Sequence, residues 1–373
     1  MRIAQVVASY HPRVGGVETH VRRIAQGCAE AGDQVTVLTH HVDGSPSDEW
    51  VGGVRVRRFP LTVSSRYYPL SLSLFRYLRS HAAEFDIVHA HSYHTLVGHA
   101  ALGSHLPLVF TPHYHGTGHT PLRAVLHGLY RPVGARQFRA ADAVICVSEA
   151  ERDLVIRDFP GVAGKTATIP NGADPKPRPP GEGWATPDQP LGEPVVLTVG
   201  RLERYKHVDL IIDAFRALPT PAILVVVGDG PDRTRLERHA QAGQPGWPVL
   251  FTGRIAEPAL DRLFAQAVVV TSASDHEAFG LTLADGLVSG ARVVASDIPA
   301  HVALGRLAGT DAPVLLVDPR DTVKFTELIA ASLSAGRRIE DLKLPTWAEV
   351  AADTRELYSQ VRLQGCPLYR RGP

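Results

Sequence analysis

The stretch 271–299, TSASDHEAFGLTLADGLVSGARVVASDIP, constrains the fold of this chain more than any other segment. An apolar run, Val268–Val270, leads into a small polar loop, an amphipathic run and a second apolar run at Val293–Ala295. Strand, loop, helix and strand in this order are typical of a βαβ unit in a parallel sheet. In such a unit the loop and the helix N-terminus lie at one edge of the sheet, where unpaired backbone N–H groups favour an anion.

Two carboxylates flank this predicted anion site. Glu277 stands in the loop, and Asp285 follows eight residues later, which is about two helical turns or ~12 Å. Each carboxylate can accept hydrogen bonds from hydroxyl groups, so the layout fits a sugar joined through a diphosphate to a ribose. An acid at a helix N-terminus followed by a solvated side chain would give the same pattern, and this segment alone leaves both interpretations open.

A second candidate anion site follows the apolar run at Val195–Val199, in the sequence GRLERYK. It contains Arg201 and Lys206, and Lys206 is one of only five lysines in the chain. Arginine offers a planar fork to phosphate oxygens and lysine a compact charge. Fixed cations of this kind can stabilise the charge that develops on a departing diphosphate. Two surface cations on a loop are the alternative. The sequence contains no D-x-D triplet to hold a metal-bridged diphosphate.

Histidine is unevenly distributed, with 14 of the 18 in residues 1–170. His89 with His91, and His113 with His115, form H-x-H pairs at predicted strand ends. Because this pattern can bind a metal, a metal-dependent hydrolase is a rival hypothesis. The neighbouring strand ends lack the carboxylates that a dinuclear site would need, so these side chains could instead line a polar cleft as hydrogen-bonding groups.

Composition excludes several classes of protein. A net charge of +1 gives no electrostatic case for a nucleic-acid partner. Three cysteines without metal-ligand spacing favour a reducing compartment, and hence the cytoplasm. No window is long enough for a transmembrane helix. Arginines on two predicted helices, 70–83 and 121–140, could contact an anionic membrane peripherally or form a solvated surface.

The order of predicted elements gives the domain organisation. Strands and helices alternate on both sides of the Pro- and Gly-rich segment 175–194, which is typical of a linker. We therefore predict two parallel α/β domains. The N-terminal domain covers residues 1–172 and is completed by a helix at about 347–373 that crosses back, and the C-terminal domain covers residues 173–346.

Taken in order, these segments resemble the motifs of retaining glycosyltransferases of family four. The matching segments are the GGVE turn at Gly15, T-P-H ending at His113, G-R-x4-K, IPNGAD, VGDGP, FTGR, the E-x7-E signature and the helix around Trp347. The signature has one departure, since Asp285 stands where the family has Glu. The resemblance implies an α/β protein of the GT-B fold, with two facing Rossmann-like domains and an interdomain cleft.

The resemblance also implies a reaction. Such enzymes move a sugar from a nucleoside diphosphate to an acceptor hydroxyl with retention of configuration, without a metal or another cofactor. We expect a UDP-sugar rather than a GDP-sugar. The acceptor is left open as a small molecule, a glycan or a lipid-linked alcohol. A GT-B sugar-nucleotide epimerase is the runner-up, but it would need catalytic acids in the first domain, where only Glu18 is a candidate. A non-catalytic sugar-binding protein would not need the Arg201 and Lys206 pair.

Site residues follow from the matching motifs. The expected catalytic residues are His113, Arg201, Lys206 and Glu277. The expected donor-binding residues of the N-terminal domain are Gly15 and Gly16. Those of the nucleotide-binding C-terminal domain are Gly200, Gly230, Gly253, Arg254, Ala278, Phe279, Gly280, Leu281 and Asp285. The candidates on the acceptor side, in the N-terminal domain, are Glu18, His91 and His115.

Overall fold

The chain divides into two compact units, each with its own parallel sheet. Unit 1 comprises Met1–Gly172 and Pro345–Pro373, and unit 2 comprises Ala173–Leu344. The computed structural model describes residues 1–65, 68–116, 121–175, 185–186, 189–190, 193–242, 247–338 and 342–365. Most of the predicted linker 175–194 lies outside the described residues.

The sheet of unit 1 has the order β3-β4-β2-β1-β5-β6-β7-β8. Its strands are β1 (Arg2–Val6), β2 (Gln34–His40), β3 (Asp48–Val51), β4 (Val54–Phe59), β5 (Ile87–His91), β6 (Leu108–Thr111), β7 (Ala143–Cys146) and β8 (Thr166–Thr168). Neighbouring strands pair in parallel except β3 with β4. The direction in which strands are added reverses between β1 and β5, and the crevice at such a switch point is where ligands bind in parallel sheets.

The antiparallel edge of unit 1 is a hairpin, although the alternating apolar pattern over 51–60 is that of a single strand. The chain instead turns at Gly52 and Gly53, which have φ values of 56° and 78°. The strand β3 therefore pairs back on β4 as a hairpin. Two consecutive residues with positive φ suit the tight turns that join antiparallel strands.

Helices cover this sheet, and the last one comes from the C-terminal part of the chain. They are α1 (Gly16–Glu30), α2 (Leu72–Ser80), α3 (Pro121–Ala140), α4 (Glu149–Asp158) and, late in the chain, α11 (Trp347–Gly365). The helix α11 packs on α1 so closely that a Cβ added at Gly27 would lie 2.5 Å from the Ala351 Cβ. The Tyr358 hydroxyl, fully buried, contacts His89 Nδ1 at 2.6 Å. Burial and a buried hydrogen bond thus anchor α11 in unit 1.

Unit 2 repeats the parallel arrangement with the order β13-β12-β11-β14-β15-β16. Its elements are β9 (Ala185–Thr186), β10 (Gln189–Pro190), β11 (Val195–Val199), α5 (Val208–Arg216), β12 (Ile223–Val227), α6 (Arg233–Gln241), β13 (Val249–Gly253), α7 (Glu257–Gln266), β14 (Val269–Ser272), α8 (Leu281–Val288), β15 (Arg292–Ser296), α9 (Pro299–Ala308), β16 (Val314–Val317) and α10 (Thr322–Ala335). The two short strands β9 and β10 form a separate antiparallel pair. The direction of strand addition reverses between β11 and β14, which marks a second switch point.

The loops that follow β11 and β12 pack backbone against backbone. Gly228 has a φ of 128°, and a Cβ there would lie 1.9 Å from the Gly200 carbonyl oxygen. A Cβ at Gly230 would lie 2.2 Å from the Leu202 carbonyl oxygen. The Gly200 N–H donates to the Val227 carbonyl at 3.0 Å. Glycine is required here because any side chain would push the two loops apart.

Two further findings concern the whole of the described chain. Cys28 and Cys146 are buried and form no disulfide. Within the residues that the structure describes, none of the helices combines the length and apolar character that crossing a membrane requires.

We predict that Gly228→Ala lowers the free energy of unfolding by about 2 kcal/mol or more, because alanine is strained at this φ and its Cβ overlaps a carbonyl oxygen. Gly305→Ala is the matched control, since Gly305 lies in α9 and a Cβ there makes only ordinary contacts at 3.6 Å. The control should be neutral or stabilising by up to ~1 kcal/mol. Urea denaturation compares the two, and equal stabilities would contradict this account of the loop packing.

Candidate active site

The switch point of unit 2 forms a pocket. One wall comes from the loop after β11, with Gly200, Arg201 and Lys206, and the other from the loop after β14 and the start of α8. The residues of that second wall are Ser272, Ser274, Glu277 and Thr282. The fold therefore brings together both anion-binding segments that the sequence indicates.

The centre of this pocket is an ion pair between Lys206 and Glu277. The Lys206 Nζ donates directly to Glu277 Oε1, and the two side chains are only 20% and 22% exposed. Burial alone would lower the pKa of Lys206, but the charge of Glu277 outweighs it and raises that pKa. Burial alone would likewise raise the pKa of Glu277, but Lys206 and the Ser274 hydroxyl lower it. Both groups are therefore charged at neutral pH, and each holds the other in the pocket.

The two loops that carry this pair are tied to each other. The Asp275 N–H donates to the Tyr205 carbonyl at 2.9 Å. The Asp275 carboxylate contacts His207 Nε2 at 2.6 Å and Arg320 at 2.9 Å. The Ser296 hydroxyl donates to the Ser274 carbonyl at 2.6 Å. These contacts pre-organise the pocket, because neither loop can move without breaking hydrogen bonds.

The N-terminus of α8 opens at the same pocket. Its N-cap is Gly280, with a φ of 103°, which has no side chain to bond the first N–H groups. Leu281 begins the helix, Phe279 is buried beneath it, and Ala278 is half-buried. The unsatisfied N–H groups and the positive end of the helix dipole suit a phosphate.

Other expected donor-binding residues lie around the pocket. Arg201 is exposed, and its Nε contacts Glu203 at 3.0 Å. Asp285 is half-buried in the second turn of α8. Gly230 follows β12, Gly253 ends β13 with a φ of 68°, and Arg254 is exposed beside it. Gly230, Gly253 and Arg254 lie at strand ends of the same sheet. Neither these three residues nor Asp285 lines the pocket itself.

Unit 1 places the glycine turn after β1 at its own switch point. Gly15 is the N-cap of α1 with extended backbone, and Gly16 begins that helix. The Glu18 carboxylate folds back over Gly15, where an added Cβ would lie 2.5 Å from Glu18 Oε2. Because Gly15 has no side chain, the Glu18 carboxylate can occupy the space beside it.

His113 follows β6 in a left-handed backbone conformation, with a φ of 47°. Hydrogen bonds on both sides hold it there. The Tyr93 N–H donates to the Pro112 carbonyl at 2.7 Å, and the Tyr114 N–H donates to Glu151 Oε1 at 2.5 Å. A non-glycine residue in this region is uncommon and persists where the surroundings over-determine it, as happens at functional sites.

Glu151, which holds this loop, is a residue that the sequence analysis missed. It is 2% exposed, and its other carboxylate oxygen accepts from the Val147 N–H at 2.6 Å. Burial raises its pKa to about 8 against the opposing effect of these two N–H donors. The available signal was the Ser148-x-x-Glu151 spacing of a capping box, and the Ser148 hydroxyl does accept from the Glu151 N–H at 3.0 Å.

The two H-x-H pairs separate into different roles. His89 is fully buried, with Nδ1 on Tyr358 and Nε2 at 2.7 Å from the Thr111 hydroxyl, so it is structural. His91 is fully buried as well, whereas His115 is half-buried. One ring nitrogen each from His20, His91 and His113 lies within 4.8 Å of the others. The histidine cluster is therefore built across three elements and not by either H-x-H pair alone.

Comparison with known sequences matches both halves of the chain to glycosyltransferase families. The model of the family described as Glycosyltransferase Family 4 matches residues 14–176, and that of Glycosyl transferases group 1 matches residues 186–338. D-rhamnosyltransferase WbpZ of Pseudomonas aeruginosa is 30% identical over 342 residues, covering 88% of this chain and 85% of the relative. A GDP-mannose-dependent alpha-(1-6)-phosphatidylinositol dimannoside mannosyltransferase of Mycobacterium tuberculosis is 29% identical over 323 residues, covering 79% of each chain.

A solved structure shares the fold along nearly the whole chain. HepE of Anabaena, in complex with UDP and glucose, superposes with a TM-score of 0.67 and 20% sequence identity. The similarity covers 98% of both chains.

We predict that Glu151→Gln lowers the free energy of unfolding by about 1–3 kcal/mol at pH 5, because one amide N–H must then face a backbone N–H in a buried site. The pKa of about 8 lies above the value of an unfolded glutamate, so the folded wild type binds more protons. Its stability should therefore fall as pH rises from about 4.5 to about 8. The variant has no titrating group at this position, so its free energy of unfolding should approach that of the wild type as pH rises, as measured by urea denaturation. A difference between the two that grows with pH would contradict the raised pKa of Glu151.

Proposed function

Because this chain belongs to glycosyltransferase family 4, we propose that it transfers a sugar from a nucleoside diphosphate to an acceptor hydroxyl with retention of configuration and without a metal ion. Family membership and the GT-B fold establish a glycosyltransferase that uses nucleotide-sugar donors. The observation that carries the finer proposal is the pocket of unit 2, where Lys206, Arg201 and the N-terminus of α8 converge.

These groups suit a diphosphate leaving group. Breaking the bond between the sugar and the β-phosphate leaves negative charge on the phosphate oxygens. Lys206 is held in place by Glu277, Arg201 is paired with Glu203, and the Gly280–Leu281 backbone begins α8. Charges and dipoles that are already oriented stabilise this developing charge without reorganisation, which is the role that a metal ion has in other transferases.

The proposed step is a front-face substitution. The bond from the anomeric carbon to the β-phosphate oxygen breaks, and the bond to the acceptor oxygen forms on the same face of the sugar. The acceptor's proton passes to the departing β-phosphate oxygen, so the nucleoside diphosphate leaves and no protein base is needed. Attack on the face that the leaving group vacates gives retention.

We assign Glu277 and His113 to the sugar. Glu277 is ionised by its pairing with Lys206, so its carboxylate accepts hydrogen bonds from sugar hydroxyls. Burial, together with nearby imidazoles, keeps the pKa of His113 well below its usual value, so the ring is neutral and can accept as well as donate. Gly15 and Gly16 are assigned to the diphosphate, and Asp285 to the ribose.

For the nucleotide base we propose uracil. HepE, whose fold matches along the chain, is solved with UDP and glucose, whereas the mycobacterial relative is named for GDP-mannose. The segment Thr252–Arg254, which includes the end of β13, is assigned to the base.

The acceptor is an alcohol that we assign to unit 1, through the candidates Glu18 and His115. His91, the third candidate, is fully buried. Small polar alcohols, glycans and lipid-linked alcohols share the hydroxyl group that the reaction needs. We place the reaction in the cytoplasm, which the unpaired thiols of Cys28 and Cys146 favour.

We predict that Lys206→Ala and Arg201→Ala each lower kcat/KM by about 10²-fold or more, because each removes one pre-organised group that stabilises the leaving diphosphate. Arg238→Ala removes a cation from the exposed face of α6 and serves as the matched control. Initial rates are measured on variants whose melting temperatures show a folded chain. Wild-type rates in both site variants would exclude this diphosphate site.

We predict that Asp285→Ala weakens UDP binding by roughly 1–3 kcal/mol, since a hydrogen bond from the ribose to a carboxylate is lost. The same change should leave 2′,3′-dideoxy-UDP binding unchanged, and Asp285→Glu should be tolerated because it restores the family's residue. Isothermal titration of both ligands tests the assignment. Equal losses of affinity for both ligands, or no loss for either, would reject the ribose contact. In the same titrations of the wild type, tighter binding of GDP than of UDP would reject uracil as the base.

A further inference from the structure

Three histidines from three different elements of unit 1 converge on one point. His20 lies on α1, His91 ends β5, and His113 follows β6. Each offers a ring nitrogen, and these three atoms lie within 4.8 Å of one another. His20 is 1% exposed and His91 is fully buried. The cluster thus joins segments separated widely in sequence into one compact set of imidazoles.

Each ring of this cluster has at least one buried nitrogen without a hydrogen-bond partner among the described residues. Within the described part of the chain, His20 Nε2, both nitrogens of His91, and His113 Nε2 are buried without a hydrogen bond. The adjacent His89 is different, because both of its nitrogens have partners. A buried polar atom that makes no hydrogen bond costs about 1–3 kcal/mol. Unpartnered buried nitrogens on three converging rings indicate that a ligand completes the site.

The chemistry of these nitrogens is that of metal ligands. Burial lowers the pKa of His20 to about 4 and keeps those of His91 and His113 well below their usual value. The rings are therefore neutral at pH 7 and carry free lone pairs. His20 Nδ1 lies 2.6 Å from Asn171 Oδ1, so its N–H donates to the amide oxygen. That bond leaves the lone pair on Nε2 and orients the ring, as outer-shell partners do in metal sites.

We propose that His20, His91 and His113 form a binding site for a divalent transition-metal ion, with Zn²⁺ as the best match. Three neutral imidazoles favour Zn²⁺, Co²⁺, Ni²⁺ or Cu²⁺ over Mg²⁺ and Ca²⁺, which prefer oxygen ligands. Tetrahedral bonds of about 2.1 Å place ligand nitrogens about 3.4 Å apart, which is compatible with three nitrogens that lie within 4.8 Å of one another. A fourth position remains for water.

The ion is an inhibitor and not a cofactor of transfer. Metal binding itself does not depend on the transferase function, since it rests on the three rings alone. Inhibition does rest on the proposed function, because an ion bound at His113 Nε2 removes the nitrogen that we assign to the sugar. Zn²⁺ should therefore bind one equivalent per chain and slow transfer in competition with the donor.

The test uses the full-length, metal-stripped protein. Co²⁺ titration is followed by the visible absorption of the four-coordinate ion, and Zn²⁺ affinity is measured by calorimetry. We expect one equivalent to bind. His20→Ala and His91→Ala should each weaken it by about 100-fold or more, because each removes a ligand. Asn171→Ala keeps all three ligands and should weaken it by about 10–100-fold. The exposed His41→Ala is the control and should change nothing.

Several outcomes decide between the possibilities. Binding at wild-type affinity in His91→Ala, or no saturable equivalent in the wild type, would overturn the site. Circular dichroism shows whether each histidine variant folds. If one does not, an unchanged Zn²⁺ affinity in Asn171→Ala would equally overturn the proposed metal site. One equivalent bound without inhibition would support the metal site and reject the role of His113 at the sugar. Metal binding in a chain that transfers no sugar would support the site while rejecting the proposed function.

Discussion

The contact on which the candidate site depends most is the ion pair between Lys206 and Glu277. It joins the loop after β11 to the loop after β14, where the direction of strand addition in the sheet of unit 2 reverses. Buried ion pairs contribute little net stability, because removing the two charges from water costs about as much as their attraction returns. We infer that the pair serves the proposed function, because it keeps one cation and one carboxylate charged and fixed in the pocket.

Both units have a switch point in the strand order of their sheet. Each sheet reverses its direction of strand addition, between β1 and β5 in unit 1 and between β11 and β14 in unit 2. In unit 1, Gly15 follows β1 at the reversal, whereas His113 follows β6, which lies two strands away from β1. In unit 2, Lys206 and Glu277 follow β11 and β14, the two strands at the reversal. His113 in unit 1 and Gly280 in unit 2 have positive φ, so both sites depend on loops held in backbone conformations that the surrounding contacts maintain.

The sequence predicted the fold class and the elements around the site, because periodicity, glycines and strand-end motifs are local signals. Two α/β domains with parallel sheets are confirmed. The partners of buried histidines could not be predicted, since these contacts are long-range. His89 binds Tyr358 across 269 residues, and His20 binds Asn171 across 151. The H-x-H spacing suggested two metal-ligand pairs, whereas the packing groups His91 and His113 with His20. Glu151 was missed because its partners include the Tyr114 N–H, which lies 37 residues away in sequence.

We propose that fixed cations and a helix N-terminus in unit 2 stabilise the leaving diphosphate without a metal ion. The most direct measurement is the initial rate of sugar transfer by the full-length protein in excess EDTA, compared with the untreated protein. The account predicts an undiminished rate. A loss of activity in EDTA that Mg²⁺, Mn²⁺ or Zn²⁺ restores would contradict it, because Lys206, Arg201 and the start of α8 would then not be sufficient.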